Sequence, residues 1–512
     1  MRLMRTLLGR LHRNEDGHTM IAVVGAISLV SLLVGAALAA TNGDLRLTSR
    51  DLDDKRAYAA AQAGIADYVF HLNADNTYWT KCTNVPNPHA VNQQGSTANR
   101  RNVPGDATAQ YAIQLIPASG QSSCSTSNPQ TTMLESGTSN TGTFRIRSIG
   151  YAGEAQQAVV VTFKRASLLD FLYFTQYETS DPVTYGNQTT IDGAYTQCTK
   201  WLREGRLSQP IPGTSQYCTQ ISFISADDVN GPMHTNDGMA ICGNPAFGRN
   251  ASDIIEVSSP PQGWYNTCSG SPNFVGTYQT NAPVLTPPPT DASLETIAGS
   301  ANTYTGQTTI QLSGNNTIIT TNGGSPVTKP IPASGVIYVQ NGSCSTGYTP
   351  FGVTYPSTSG CGTVRVSGTY SGALTIAAEN DVLITGSLTR SGNGMLGLIA
   401  NNFVRVYHPC SNDTNQSGSL SNPTIDAAML AIQHSFIVDN YNCGNPMGTL
   451  TVNGAIAQKF RGAVGTHGGS GVSSGYSKNY VYDDRLKYQE PPHFLDPVET
   501  AWHIQCQTLD FP

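Results

Sequence analysis

The chain has 512 residues, of which only 12% are charged, with 51 glycines and 29 prolines. That length allows two or three domains, and so turn-rich a composition fits an extracytoplasmic β-rich protein better than a helical cytosolic enzyme. A formal net charge of −6 excludes an overall electrostatic footprint for nucleic acid, so any such binding would need a local basic patch.

Arg2, Arg5, Arg10 and Arg13 precede the first apolar run, and the positive-inside rule keeps residues 1–17 cytoplasmic. Thr19 to Ala40 carries no charge and is long enough to cross a bilayer as a helix. Ala37–Ala39 satisfies the small-residue rule of signal peptidase, which would release residues 40–512 as a secreted protein. Against that rival, the run is long for a signal sequence and the helical pattern continues beyond it. Tyr58, Ala61, Ile65, Val69 and Leu72 recur at spacings of three and four, and the alanines between Ala57 and Ala66 favour helix and allow close packing. One helix is expected from the membrane segment to about Asn73.

A basic leader ending in Gly17, an uncharged helix directly after it and the amphipathic "AYAAAQAGI" continuation resemble type IV pilins, PilX-type minor pilins above all. The resemblance covers roughly residues 1–166. It implies cleavage by a prepilin peptidase between Gly17 and His18, and it implies the membrane, other pilin subunits and the pilus assembly machinery as partners. The chain departs from the pilin pattern at Ala22, where most pilins carry a glutamate that pairs with a neighbouring subunit's amine. In that lack, and in carrying a large extra domain, it is similar to the tip pseudopilins of type II secretion.

After the helix the period changes to two. "YAIQLIP" (Tyr111–Pro117), "TFRIRSIG" (Thr143–Gly150) and "QAVVVTFKR" (Gln157–Arg165) read as strands of a small antiparallel head over residues 76–166, on a stem of 18–75. Arg145 and Arg147 read as a solvated strand face. Residues 167–182 read as a connector.

From residue 183 to 458 the chain is rich in Gly, Asn, Thr and Ser, with short apolar bursts. Asp291 is placed to cap a short helix after the proline run of Pro287–Pro289. Between Thr363 and His408 the bursts start roughly every eight to twelve residues, as in hairpin arrays or the rungs of a parallel β-solenoid. The recurring corners "ENDV" and "ANNF" favour the solenoid, with an antiparallel sandwich as the alternative. The fold class expected is therefore α+β, a pilin-type helix with a small antiparallel sheet followed by a large all-β domain.

The eleven cysteines contain no CxxC and no Cys/His cluster of zinc spacing, so neither metal nor cofactor is expected. Pairing sequence neighbours joins Cys82 to Cys124, Cys198 to Cys218, Cys242 to Cys268, Cys344 to Cys361 and Cys410 to Cys443, leaving Cys506 over. Sequence alone does not decide connectivity, but the arrangement favours an oxidising compartment.

Residues 459–512 interleave Lys459, Arg461, Lys478, Arg485 and Lys487 with Phe460, Tyr476, Tyr480, Tyr482 and Tyr488. Such interleaving can hold single-stranded nucleic acid or sugars. Neighbouring Asp483, Asp484 and Glu490 offset the charge, and a segment capping the end of the β domain is the preferred reading. Asp227, Asp228, Asp237 and His467 resemble pieces of polygalacturonase motifs, but their order is reversed and that family's Arg/Lys motif is missing. His234 beside Asn236 and Asp237 suggests a cation site or only a turn. Glycoside hydrolysis needs two carboxylates at a set separation, which nothing in the sequence establishes.

The function expected is a non-enzymatic minor pilin-like subunit of a type IV pilus or type II secretion filament. It is a single-pass membrane protein, amino terminus inside, displaying a β domain for assembly, adhesion or surface binding. DNA uptake and a secreted carbohydrate-active enzyme are the alternatives.

Overall fold

A computed structural model of the chain describes residues 18–75, 77–82, 90–91, 100–135, 143–165, 167–345, 347–468, 471–487, 489–498 and 502–510. The leader, Gly17 included, lies outside them, as does Tyr488. The chain is α+β and divides into two units. Met1–Met133, Phe144–Phe163 and Ile504–Pro512 make the first, and Leu134–Thr143 with Lys164–His503 the second. The second unit is thus inserted in sequence ahead of the last strand of the first.

The first unit begins with helix α1, His18–Ala74, which is unbroken over 57 residues. No proline interrupts it, and its outer half buries Ala57, Ala60, Ala61, Ile65, Tyr68 and Leu72. The expected apolar face is thereby shifted: Tyr68 is buried, while Tyr58 stays exposed. The helix lies against a sheet whose main strands are β1 (Asp106–Ile116), β2 (Thr143–Ala152) and β3 (Ala155–Arg165). The contact is backbone-close, since a Cβ on Gly150 would stand 1.9 Å from the Ala57 carbonyl oxygen. Ser148 donates to the Ala61 carbonyl at 2.7 Å, and Tyr111 donates to Asp67 at 2.9 Å. Phe144 and Phe163 stack at 5.0 Å beneath Tyr68. The last strand of the chain, Trp502–Asp510, closes the sheet beside β3. There Asp510 pairs with Arg147, which is half-buried instead of facing solvent as expected.

The second unit is built of parallel strands stacked coil on coil. The expected connector is its first member, β4 (Tyr173–Ser180), followed by β5 (Met233–Thr235), β6 (Ile254–Val257) and β7 (Thr277–Thr280). Each pairs in parallel with the next. After β7 the chain leaves the stack and runs back across it. Leu285 bonds Asn236, the carbonyl of Pro289 accepts from Gln433, and Asp291 bonds Asn401 and then the Tyr338 hydroxyl. Proline-rich chain suits such a strap because it is stiff and donates few hydrogen bonds.

At the far end the chain forms the short helix α2 (Ser293–Ala298) and winds back through β8 (Thr303–Thr305), β9 (Val336–Gln340), β10 (Ala373–Ala378), β11 (Met395–Ala400), β12 (Thr424–Ala431) and β13 (Pro446–Arg461). These too pair in parallel, each with the next. β13 then pairs in parallel with β4, so the second run of coils docks on the strand where the first began. In register across the stack lie Ile376, Leu398, Met429, Ile456, Tyr173, Met233 and Ile255, all buried. The "ENDV" and "ANNF" stretches fall one coil apart at the same corner, where Asn402 donates to Asn380 at 2.8 Å.

The carboxy-terminal stretch is not a cap. Lys459–Arg461 completes β13, and β14 (Gly471–Tyr482) is a rung between β13 and the strand Asp228–Asn230. Its aromatic residues fill the core that such rungs enclose. Asp291 is likewise no side-chain cap of α2; its carboxylate is buried on Tyr338.

Five disulfides are present, Cys82–Cys124, Cys198–Cys218, Cys242–Cys268, Cys344–Cys361 and Cys410–Cys443, with Cys506 free and exposed.

Candidate functional site

Ala22–Ala39 of α1 has a mean hydropathy of 2.4 and none of it is buried in the structure, by length and composition enough to cross a membrane. Its leucines, valines and isoleucine project all round, so no single face is reserved for this chain's own core. That is the pattern of a helix made for lipid or for packing with other helices. The described residues begin at His18, already helical, and Ala22 lies within the same helix.

The five cations expected to form a ligand surface do not converge. Arg461 is buried, donates to Glu178 at 3.2 Å and lies 3.4 Å over the Phe223 ring. Lys478 holds Asp227 with bonds of 2.8 and 2.9 Å, and Arg461 reaches the same carboxylate at 3.8 Å. These four charges sit where the two runs of coils meet. Burial raises the Glu178 carboxyl above its ordinary range, whereas Lys478 and Arg461 hold Asp227 below its own despite burial. Arg485 pairs with Asp483 at 2.6 Å and Lys487 with Asp484 at 3.1 Å. Lys459 donates to Gln433 at 2.9 Å, and burial lowers its pKa. Phe460, Tyr476, Tyr480 and Tyr482 are all buried, so they offer no stacking platform.

The acidic candidates are equally committed. Asp237 is buried against Arg206 and accepts from the backbone of Leu202 at 2.7 Å and Glu178 at 3.0 Å. Asp228 is exposed, whereas its neighbour Asp227 is buried. His467 is exposed on a short strand paired antiparallel with β14, and partial desolvation, helped by the Lys478 charge, lowers its pKa. His234 is a core side chain, bonded to Glu256 at 2.9 Å and Asn236 at 3.0 Å and stacked on Phe174. Among the described residues no group of three or more His, Cys, Asp or Glu side chains is placed to hold a metal ion.

Sequence reading missed the partners Glu178, in the stretch read as connector, and Arg206, in the region read as the β domain. It also missed Arg365, inside the burst "TVRVSG", which faces a recess beneath the loop closed by Cys344–Cys361. An arginine between two buried valines was the available signal.

No family model matches the chain, and no curated protein matches it. Among solved structures, the competence-associated pilin ComZ from Thermus thermophilus aligns over 90% of this chain and 98% of its own at 14% identity. The TM-score is 0.26, too low for that alignment to bear on function.

Proposed function

We propose that the chain is a pilin-like subunit of a type IV pilus or type II secretion filament, anchored by α1 and displaying its second unit as a parallel β-solenoid. One observation carries this reading: a single unbroken helix exposes an apolar first half and buries one face of its second half against an antiparallel sheet. A secreted enzyme has no use for the first half, and a plain anchor has no need to continue it into a packed stem. With so large an inserted unit, the chain suits a minor or tip position better than the shaft. The mature protein is expected to begin at His18, read by amino-terminal sequencing or intact mass. A start at Ala40 would replace this reading with the secreted one, and an intact Met1 would favour a simple anchor.

The same reading includes no catalytic activity. Its support is the state of the carboxylates, since Asp227 and Asp237 are both buried on cations and cannot flank a sugar. Pectin and related polysaccharides should therefore survive incubation with the full-length protein in detergent. Turnover that disappears in Asp227→Ala or Asp237→Ala would contradict it.

A further inference from the structure

The strands Val364–Tyr370, Val382–Arg390 and Val404–Val406 stack in parallel, with Arg365, Leu383 and Arg405 in register. Flanking valines and Ile384 are fully buried, so these three side chains face away from the core. Over them lies the chain from Gly347 to Cys361, tethered by the Cys344–Cys361 disulfide, and a cavity of about 290 Å³ remains between.

The two arginines in this cavity differ. Arg405 spends its charge on Asp439, with two bonds of 2.9 Å, and on Asp381 at 2.9 Å. Tyr348 and Tyr355 donate to the same Asp439 at 2.6 and 2.9 Å. Arg365 has only the Pro356 carbonyl, at 2.9 Å, and its buried Nε has no hydrogen-bond partner among the described residues. No carboxylate among them pairs with it, and burial lowers its pKa. A half-buried guanidinium without a counter-ion is costly, and its planar fork matches a carboxylate.

Phe351, 38% exposed, forms an edge common to this cavity and to a second recess of about 660 Å³. Asn412, Asp413, Asn440 and Asn442 line the second recess. Asn440 there is buried and already bonded to Val353 and His408, which leaves Asn412, Asn442 and the Asp413 carboxylate as the polar rim. An exposed aromatic ring between an unpaired cation and that rim offers an apolar face for sugar C–H groups and partners for sugar hydroxyls.

We infer that this double recess binds an acidic oligosaccharide. A carboxylate-bearing sugar residue sits in the smaller cavity with its carboxylate accepting from Arg365, and the adjoining residue crosses Phe351 into the larger one. The smaller volume is near the lower end for ligand pockets, about 300 Å³, which suits one sugar ring. A nucleic acid strand fits less well, because phosphodiester binding draws on several cations and only Arg365 is unpaired here.

The test is calorimetric titration of the full-length protein in detergent. The probes are tetragalacturonate, a hyaluronan tetrasaccharide and sialyllactose, with cellotetraose, inorganic phosphate and a thymidine tetranucleotide as contrasts. At least one carboxylated sugar should bind, cellotetraose should bind far more weakly, and Arg365→Gln should lower the affinity roughly tenfold to a hundredfold. Phe351→Ala should weaken the same ligand while leaving the melting temperature unchanged. If Arg365→Gln unfolds the protein, Phe351→Ala decides alone, and unchanged affinity there overturns the proposal. So does binding of none of the carboxylated sugars, equal binding of cellotetraose, or Arg365-dependent binding confined to phosphate or the tetranucleotide. None of these outcomes depends on where the leader is cut.

Discussion

Asp291 shows how one residue's setting governs a property of the β unit. Burial, opposed only in part by the Tyr338 hydroxyl, pushes its pKa from 3.8 to about 7. Because the folded value lies above the unfolded one, the folded chain holds the extra proton. The contribution of Asp291 to stability is therefore complete below about pH 4 and is lost as pH rises through about 7. Fully ionised, the group costs on the order of 4 kcal/mol. Asp291→Asn should match the wild type near pH 4 and exceed its thermal stability near pH 8, as read by circular dichroism. Parallel stability curves for the two proteins across that range would show that Asp291 does not titrate as described.

At the scale of elements, the joint between β4 and β13 is where charges are spent. Glu178 of β4 is buried, and its cation is Arg461 of β13. Arg461→Leu leaves that carboxylate with the Thr175 hydroxyl alone, while Asp227 keeps Lys478. Removing one member of a buried pair costs on the order of 3–5 kcal/mol, much of it from the charge left behind. Denaturant unfolding should show that loss, and adding Glu178→Gln should restore much of it. An Arg461→Leu protein as stable as the wild type would mean that apolar packing alone holds the joint. The same pairing explains why Arg461 and Lys478, read as ligand contacts, are structural. A basic residue in sequence shows its charge but not the carboxylate that a strand 283 residues away brings to it.

The whole molecule is closed by its last segments. β13 and β14 join the two runs of coils, and Trp502–Asp510 completes the sheet of the first unit. Removing residues 446–512 would therefore leave one edge of β4 and one edge of β12 unpaired and open that sheet beside β3. Unpaired parallel edges are sites of aggregation. The truncated chain is expected to be insoluble or rapidly proteolysed in expression trials, despite keeping its membrane helix and five disulfides. A soluble, protease-resistant truncation would contradict this. The joint between the runs also forms late in synthesis, since its partners lie at opposite ends of the β unit and loop closure precedes contact.

The features legible in the sequence are those written within one segment. A helical period of 3.6, three alternating strands and asparagine corners are local preferences of backbone and side chain. The disulfides fall between neighbouring cysteines, so their loops are short enough to guess. Tertiary structure decided the rest. Parallel pairing depends on register between distant segments, and no local signal marks β4 as a rung instead of a connector. The return of the chain along Leu285–Asp291 is likewise visible only once the coils it crosses are in place. Whether a charge is free depends on burial and on its partner, and this separated Arg461 from Arg365, two arginines that look alike in sequence.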